Sequence, residues 1–182
     1  MATHLSTASW NILARLGFSA EYDLEDGDDT KDKKTVSIAP SWDFGSDAEE
    51  ADLVWHDLRT IAASADDDID LGALTDRFGQ TLVFANVKAI LIWNRTDEAT
   101  TAPAHTATTA DVQVGGAAAN AFEAWVAAAG DIVGPFPEGG GCLLINPEGW
   151  TVTADTGDIL RVTNNDGANE ALIEIVIIGD SA

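Results

Sequence analysis

The chain is short of positive charge. Nine Lys and Arg stand against 31 Asp and Glu, a net charge of -22 over 182 residues. Phosphate recognition needs clustered cations, so neither nucleic acid nor an anionic membrane is an expected partner. Cysteine is almost missing. The single Cys142 leaves no intrachain disulfide. It sits in the apolar run Gly141-Cys142-Leu143-Leu144-Ile145 and reads as a small buried hydrophobe. Histidine is scarce as well. His4, His56 and His105 lie far apart without metal-ligand spacing, which argues against a metal-dependent cupin enzyme. There is no GxSxG nucleophile elbow and no phosphate-cradling P-loop. Gly115-Gly116 and Gly139-Gly140-Gly141 fall between strand candidates and read as turns. Carboxylate pairs carry no signal at this acid content. No apolar run approaches the ~20 residues of a membrane span. Met1-Ala2-Thr3-His4 has neither the basic region nor the apolar core of a signal peptide. The expectation is a chain made in a cytoplasm, or exported by lysis, with no catalytic residues, cofactor or metal.

What is present is β-sheet patterning. A chain of this length buries roughly 70% of its unfolded surface, enough for one real core. Eight to ten short strand candidates follow one another, with turn signals roughly every ten residues. Residues 66–71 put Ile69 and Leu71 on one face and Asp68 and Asp70 on the other, a strand with one wet side. An alternating-Asp cation site is the functional alternative there. The longest candidate, 81–93, places Val83, Ala85, Val87, Ala89, Leu91 and Trp93 on one apolar face, the pattern of a strand buried on one side. Near the end, 158–180 reads as two β-branched runs around Asn164-Asn165-Asp166-Gly167, a hairpin signal. The second run is apolar on both sides apart from Glu174. It needs a covering layer on each face or a partner chain.

Other stretches are less regular. Residues 1–20 could form a short helix capped by Ser9, with Trp10, Ile12, Leu13 and Leu16 as its stripe, or an extended docking arm. Residues 21–34 are nearly all charged and suggest a solvated loop or edge hairpin. Their acids, Asp23 to Asp29, lack the spacing of a calcium loop. The Thr- and Ala-rich 94–110 reads as a flexible, protruding loop. The Ala-rich 117–129 reads as one short helix or an irregular turn. Together these features predict an all-β antiparallel sandwich over 36–182, with an arm and charged loop over 1–35.

The order of elements in the second half carries a resemblance. Pro137-Glu138-Gly139-Gly140 leads into Cys142-Leu143-Leu144-Ile145. Gly149-Trp150-Thr151-Val152-Thr153 and Ile159-Leu160-Arg161-Val162-Thr163-Asn164 follow, and Ile175-Val176-Ile177-Ile178-Gly179 closes. Over residues 53–182 this is similar to small virion structural proteins of tailed bacteriophages. The resemblance implies a jelly-roll-like sandwich on the capsid surface, acting as a decoration or cement protein. It also implies a homotrimer that bridges capsomers of the major capsid protein. Trp10, Ile12, Leu13, Leu16, Trp93 and Trp150 are then the expected subunit-contact residues. Two other readings stand beside it. One is a tail or fibre module that binds receptor carbohydrate through loop 94–110 and exposed Trp. The other is a glycan-active sandwich enzyme with clustered acids in one cleft.

Overall fold

The computed structural model describes residues 10–11, 14–22, 30–127 and 130–182. The chain divides into two compact units, 1–44 and 45–182.

The first unit is β-structure. Ala14–Tyr22 and Thr30–Ile38 pair antiparallel over nine residues each. Trp10–Asn11 pairs with Ser41–Phe44. The helical alternative for 1–20 therefore fails over 14–20, where the backbone is strand. Gly17 lies in mid-segment, where it weakens a helix. The register runs from Ala14 opposite Ile38 to Tyr22 opposite Thr30. Residues 21–22 and 30–34 of the charged stretch thus belong to this two-stranded hairpin. The acidic run 23–29 lies outside the described residues.

The second unit is a sandwich of eight main strands. They are β1 (Leu53–Ile61), β2 (Asp66–Asp70), β3 (Asn86–Asn94) and β4 (Val112–Gly115), then β5 (Ile132–Phe136), β6 (Gly141–Thr151), β7 (Ile159–Asn164) and β8 (Ala171–Asp180). One sheet has the order β6-β3-β8-β1 and the other β5-β4-β7-β2, all antiparallel. The pairing is a mirror: β1 takes β8, β2 takes β7, β3 takes β6 and β4 takes β5. A long ribbon folded at its middle and then wrapped over itself gives this pattern, and two further ladders, β3 with β8 and β4 with β7, close it. That is a jelly roll, and it agrees with the sandwich expected from strand count and turn spacing.

The core lies between the sheets. Trp55, Val87, Ile90, Ile92, Ile173, Ile175 and Ile177 come from one sheet; Ile69, Val112, Val114, Leu160 and Val162 come from the other. Phe122 closes it from the irregular segment between β4 and β5, beside a half-buried Trp125 whose indole N–H donates to the Phe122 carbonyl at 2.8 Å. No helix forms there among the described residues, so the turn alternative is the correct one.

Two expectations about strands need correction. The stretch 81–93 is not one strand. Thr81–Leu82 pairs with Leu74–Thr75, and β3 starts only at Asn86. A β-bulge then shifts the register between Val87 and Ala89. One extra residue exchanges the faces. Val87 points into the core, and beyond the bulge it is Ile90 and Ile92 that do, while Leu91 and Trp93 turn outward. The second correction concerns Asn164-Asn165-Asp166-Gly167. Strands β7 and β8 do not pair with each other; the turn carries the chain from one sheet to the other. Asn164, 1% exposed, anchors it: its side-chain N–H groups face the carbonyls of Ile61, Ala62 and Asn169 at 3.1, 3.1 and 2.8 Å, and its oxygen accepts from Asp166 N at 2.9 Å.

Loop 94–110 is also more ordered than its composition suggests. Thr100–Thr101 pairs with Ala104–His105. The His105 ring is wholly buried, with Nε2 3.0 Å from the Thr96 carbonyl and Nδ1 3.0 Å from Glu170 Oε1. Asn94 donates to the carbonyls of Ala110 and Phe136 at 2.7 and 3.0 Å. These bonds staple the loop to the sandwich, while Thr101, Ala102 and Ala104 at its tip stay exposed.

Candidate functional site

The outward faces of the two sheets differ in chemistry. On the sheet containing β2, alternation puts Asp66, Asp68 and Asp70 outside, and the register lays Arg161 beside Asp68. The Arg161 guanidinium grips Asp68 through Nε at 2.6 Å and Nη2 at 2.8 Å, and reaches Asp66 through Nη1 at 2.9 Å. Thr163 Oγ1 donates to Asp66 at 2.6 Å. The alternating acids therefore hold an arginine where a cation was considered. Among the described residues no group of three or more His, Cys, Asp or Glu is arranged to hold a metal.

Arg161 holds the Asp68 carboxyl below its ordinary value of 3.8. A carboxylate depressed in the folded state stabilises above its unfolded pKa, and that stability is lost as pH falls through the folded value. Asp68→Asn should therefore lower the thermal midpoint near pH 7. The gap from the parent should close below about pH 4. Melts recorded across that range check this, and a gap that persists at pH 2 contradicts it.

The face of the other sheet is apolar. The register aligns Ile145, Ala89, Ile178 and Val54 in one row. The next row is Leu143, Leu91, Val176 and His56, and the third is Gly141, Trp93, Glu174 and Leu58. Ile178 and Ala89 are buried, but Leu143, Ile145, Leu91, Val176, Val54 and Leu58 stay half-buried. Trp93 is 38% exposed.

Charge on this face is paired. Glu174 sits between two bases, with Oε1 2.9 Å from His56 Nε2 and Oε2 accepting from Arg95 Nη1 at 2.6 Å. Arg95 also bonds Glu98, which pulls the Glu98 carboxyl below its usual range. The same guanidinium lies 5.1 Å from the centroid of the Trp93 ring, a cation–π contact. The other acid of β8, Asp180 at the end of the strand, is buried against Lys88, with Nζ 3.0 Å from Oδ2. Both acids of β8 are thus matched, in a chain with more than three acids per base.

The expected contact residues divide. Trp93 belongs to the apolar face. Trp150 does not: it stands opposite Val87 and packs half-buried against the core. Trp10 and Leu16 fall on the strands of the first unit. Ile12 and Leu13 lie outside the described residues. Sequence reasoning missed Leu91, Leu143, Ile145 and Arg95. The β3 pattern pointed Leu91 inward, and only the bulge reverses it. Cys142, at the opposite parity, packs against the core, and burial raises its thiol to about 11, which keeps it from acting as a nucleophile at neutral pH.

A shallow surface depression of about 150 Å³ is lined by Thr109, Ala110, Asp111, Glu138, Asn165 and Asp166. Asp166 is already engaged by the backbone N–H groups of Ala168 and Asn169 at 2.8 and 2.7 Å. No protein-family model, curated protein or solved structure matches this chain.

Proposed function

We propose that the chain is a virion structural protein of a tailed bacteriophage. In this reading it is a non-enzymatic decoration, or cement, protein on the capsid surface. It acts as a homotrimer that bridges capsomers of the major capsid protein. The observation that carries the reading is the apolar, charge-matched face of the β6-β3-β8-β1 sheet. A chain of charge -22 repels its own copies over most of its surface. Copies meet at least cost where apolar side chains stand beside acids already paired with bases. A symmetric assembly can use such a face repeatedly. The acid-rich outer side of the opposite sheet suits exposure to solvent. The arm, including Trp10, Ile12, Leu13 and Leu16, is assigned to capsid binding. The carbohydrate-binding alternative relied on a flexible, protruding 94–110 loop, and the stapling through His105 and Asn94 reduces that flexibility.

Light scattering after size-exclusion chromatography tests the self-association. The parent chain should run as a trimer at micromolar concentration. The double variant Leu91→Asp, Val176→Asp should run as a monomer with its β-signal retained. Two charges in the centre of an interface cost about 3 kcal/mol or more, on the order of a hundredfold in association. A strictly monomeric parent would sink the proposal. Deleting residues 1–20 should abolish capsid binding and leave the trimer folded; retained binding would refute the role of the arm.

A further inference from the structure

The bulge in β3 does more than exchange faces. It aims Lys88 at Asp180 on the neighbouring strand β8. Both side chains are sealed from solvent, at 0% and 2% exposure. Nζ lies 3.0 Å from Asp180 Oδ2 and 3.1 Å from the Asp47 carbonyl. Asn86 Nδ2 donates to the other carboxyl oxygen, Asp180 Oδ1, at 2.9 Å, and Thr151 Oγ1 holds the Asn86 oxygen at 3.2 Å. A single amine is thus pressed against a single carboxyl group in a dry site, with an amide N–H already on the oxygen where negative charge would build.

We propose that Lys88 and Asp180 condense into an intramolecular isopeptide bond. The ammonium first passes a proton to the carboxylate, so that neutral amine faces neutral acid. The Asp47 carbonyl holds one N–H of the amine and leaves the lone pair free to attack Cγ of Asp180. Oδ1 takes the developing charge under the Asn86 N–H. Nitrogen then gives up a proton to Oδ2, the Cγ–Oδ2 bond breaks, and water leaves. The balance is one ammonium and one carboxylate in, one amide and one water out, with no oxidant, reductant or co-reactant. Fixed proximity supplies the entropy that a bimolecular condensation would lack. The bond would tie the end of the last strand to the middle of the chain. Loss of strand β8 by local fraying would then require breaking a covalent link, a useful property for a subunit of a particle.

Mass spectrometry of the denatured parent chain reads the outcome. The expected mass is the sequence mass less one water, and digestion should give a branched peptide joining Lys88 to Asp180. Lys88→Met and Asp180→Ala should each restore the full sequence mass, and Asp180→Asn should lose ammonia in place of water. Because unfolded variants could also fail to condense, the parent decides. Full sequence mass in freshly purified and in aged parent protein overturns the proposal and leaves a buried ion pair. Loss of water that maps elsewhere, such as a succinimide at Asp26-Gly27 or Asp166-Gly167, overturns it equally.

Discussion

Ile175→Ala should cost about 3–4 kcal/mol of unfolding free energy, and Val176→Ala less than about 1. The two residues are neighbours on β8 and differ by one methylene. Ile175 is 0% exposed in the core between the sheets, opposite Ile92 on one side and Asp57 on the other. Removing its side chain leaves a cavity that a close-packed interior fills only in part. Val176 lies on the outward face, half-buried beside Leu91 and His56. Urea unfolding of the isolated variants at a concentration below that of self-association measures both. Equal costs would mean that the outer face is packed as tightly as the core.

Asn164→Ala is the second large effect. The substitution removes the side chain that answers three buried or half-buried carbonyls and caps the Asp166 backbone N–H. The Ile61 and Ala62 carbonyls belong to the end of β1 and the turn after it. Asn164 therefore joins three passages of chain, at residues 61–62, 164–166 and 169. Each polar group left without a partner in the interior costs about 1–3 kcal/mol. The loss should be about 3 kcal/mol or more, a fall of roughly 10 °C in the midpoint for a chain of this size. Asn164→Asp retains an oxygen for Asp166 N and loses the donors, so it should be no better. A fall of under about 2 °C would show that water replaces the amide.

The same Asn164 shows how far the sequence could be read. The cluster Asn164-Asn165-Asp166-Gly167 announced a turn, and a turn is there. That it crosses between sheets depends on what β7 and β8 meet, which lies about a hundred residues upstream in β2 and β1. A local turn signal states that the chain reverses, not which strand receives it. The mirror pairing of the jelly roll is of the same kind, since all of its partners except β4 with β5 are remote in sequence.

The apolar face was hidden by a similar mechanism. Alternation in 81–93 is a sound period-2 pattern, and one bulged residue at Lys88 divides it into two halves of opposite sense. Nothing local in Val87-Lys88-Ala89 marks that break. A lysine in a central strand was its only trace, and it became intelligible once Asp180 stood beside it. The helical option for 1–20 failed over 14–20 for a different reason. A helical stripe is a weak prior, and pairing of 14–22 with 30–38 overrides it.

By itself the sequence determined the composition of the layers. β-Branched runs broken by Gly, Pro and Asn pointed to an all-β sandwich. The alternation of Asp68, Ile69, Asp70 and Leu71 fixed which side of β2 is wet. The excess of acid set the charge. Tertiary structure alone decided which strands meet, which face of β3 is inside, and that Arg161 and Lys88 stand where they neutralise Asp68 and Asp180. The physical reason is range: side-chain periodicity and turn chemistry act over a few residues, whereas register, bulges and ion pairs are settled by partners that the chain brings together only when it closes.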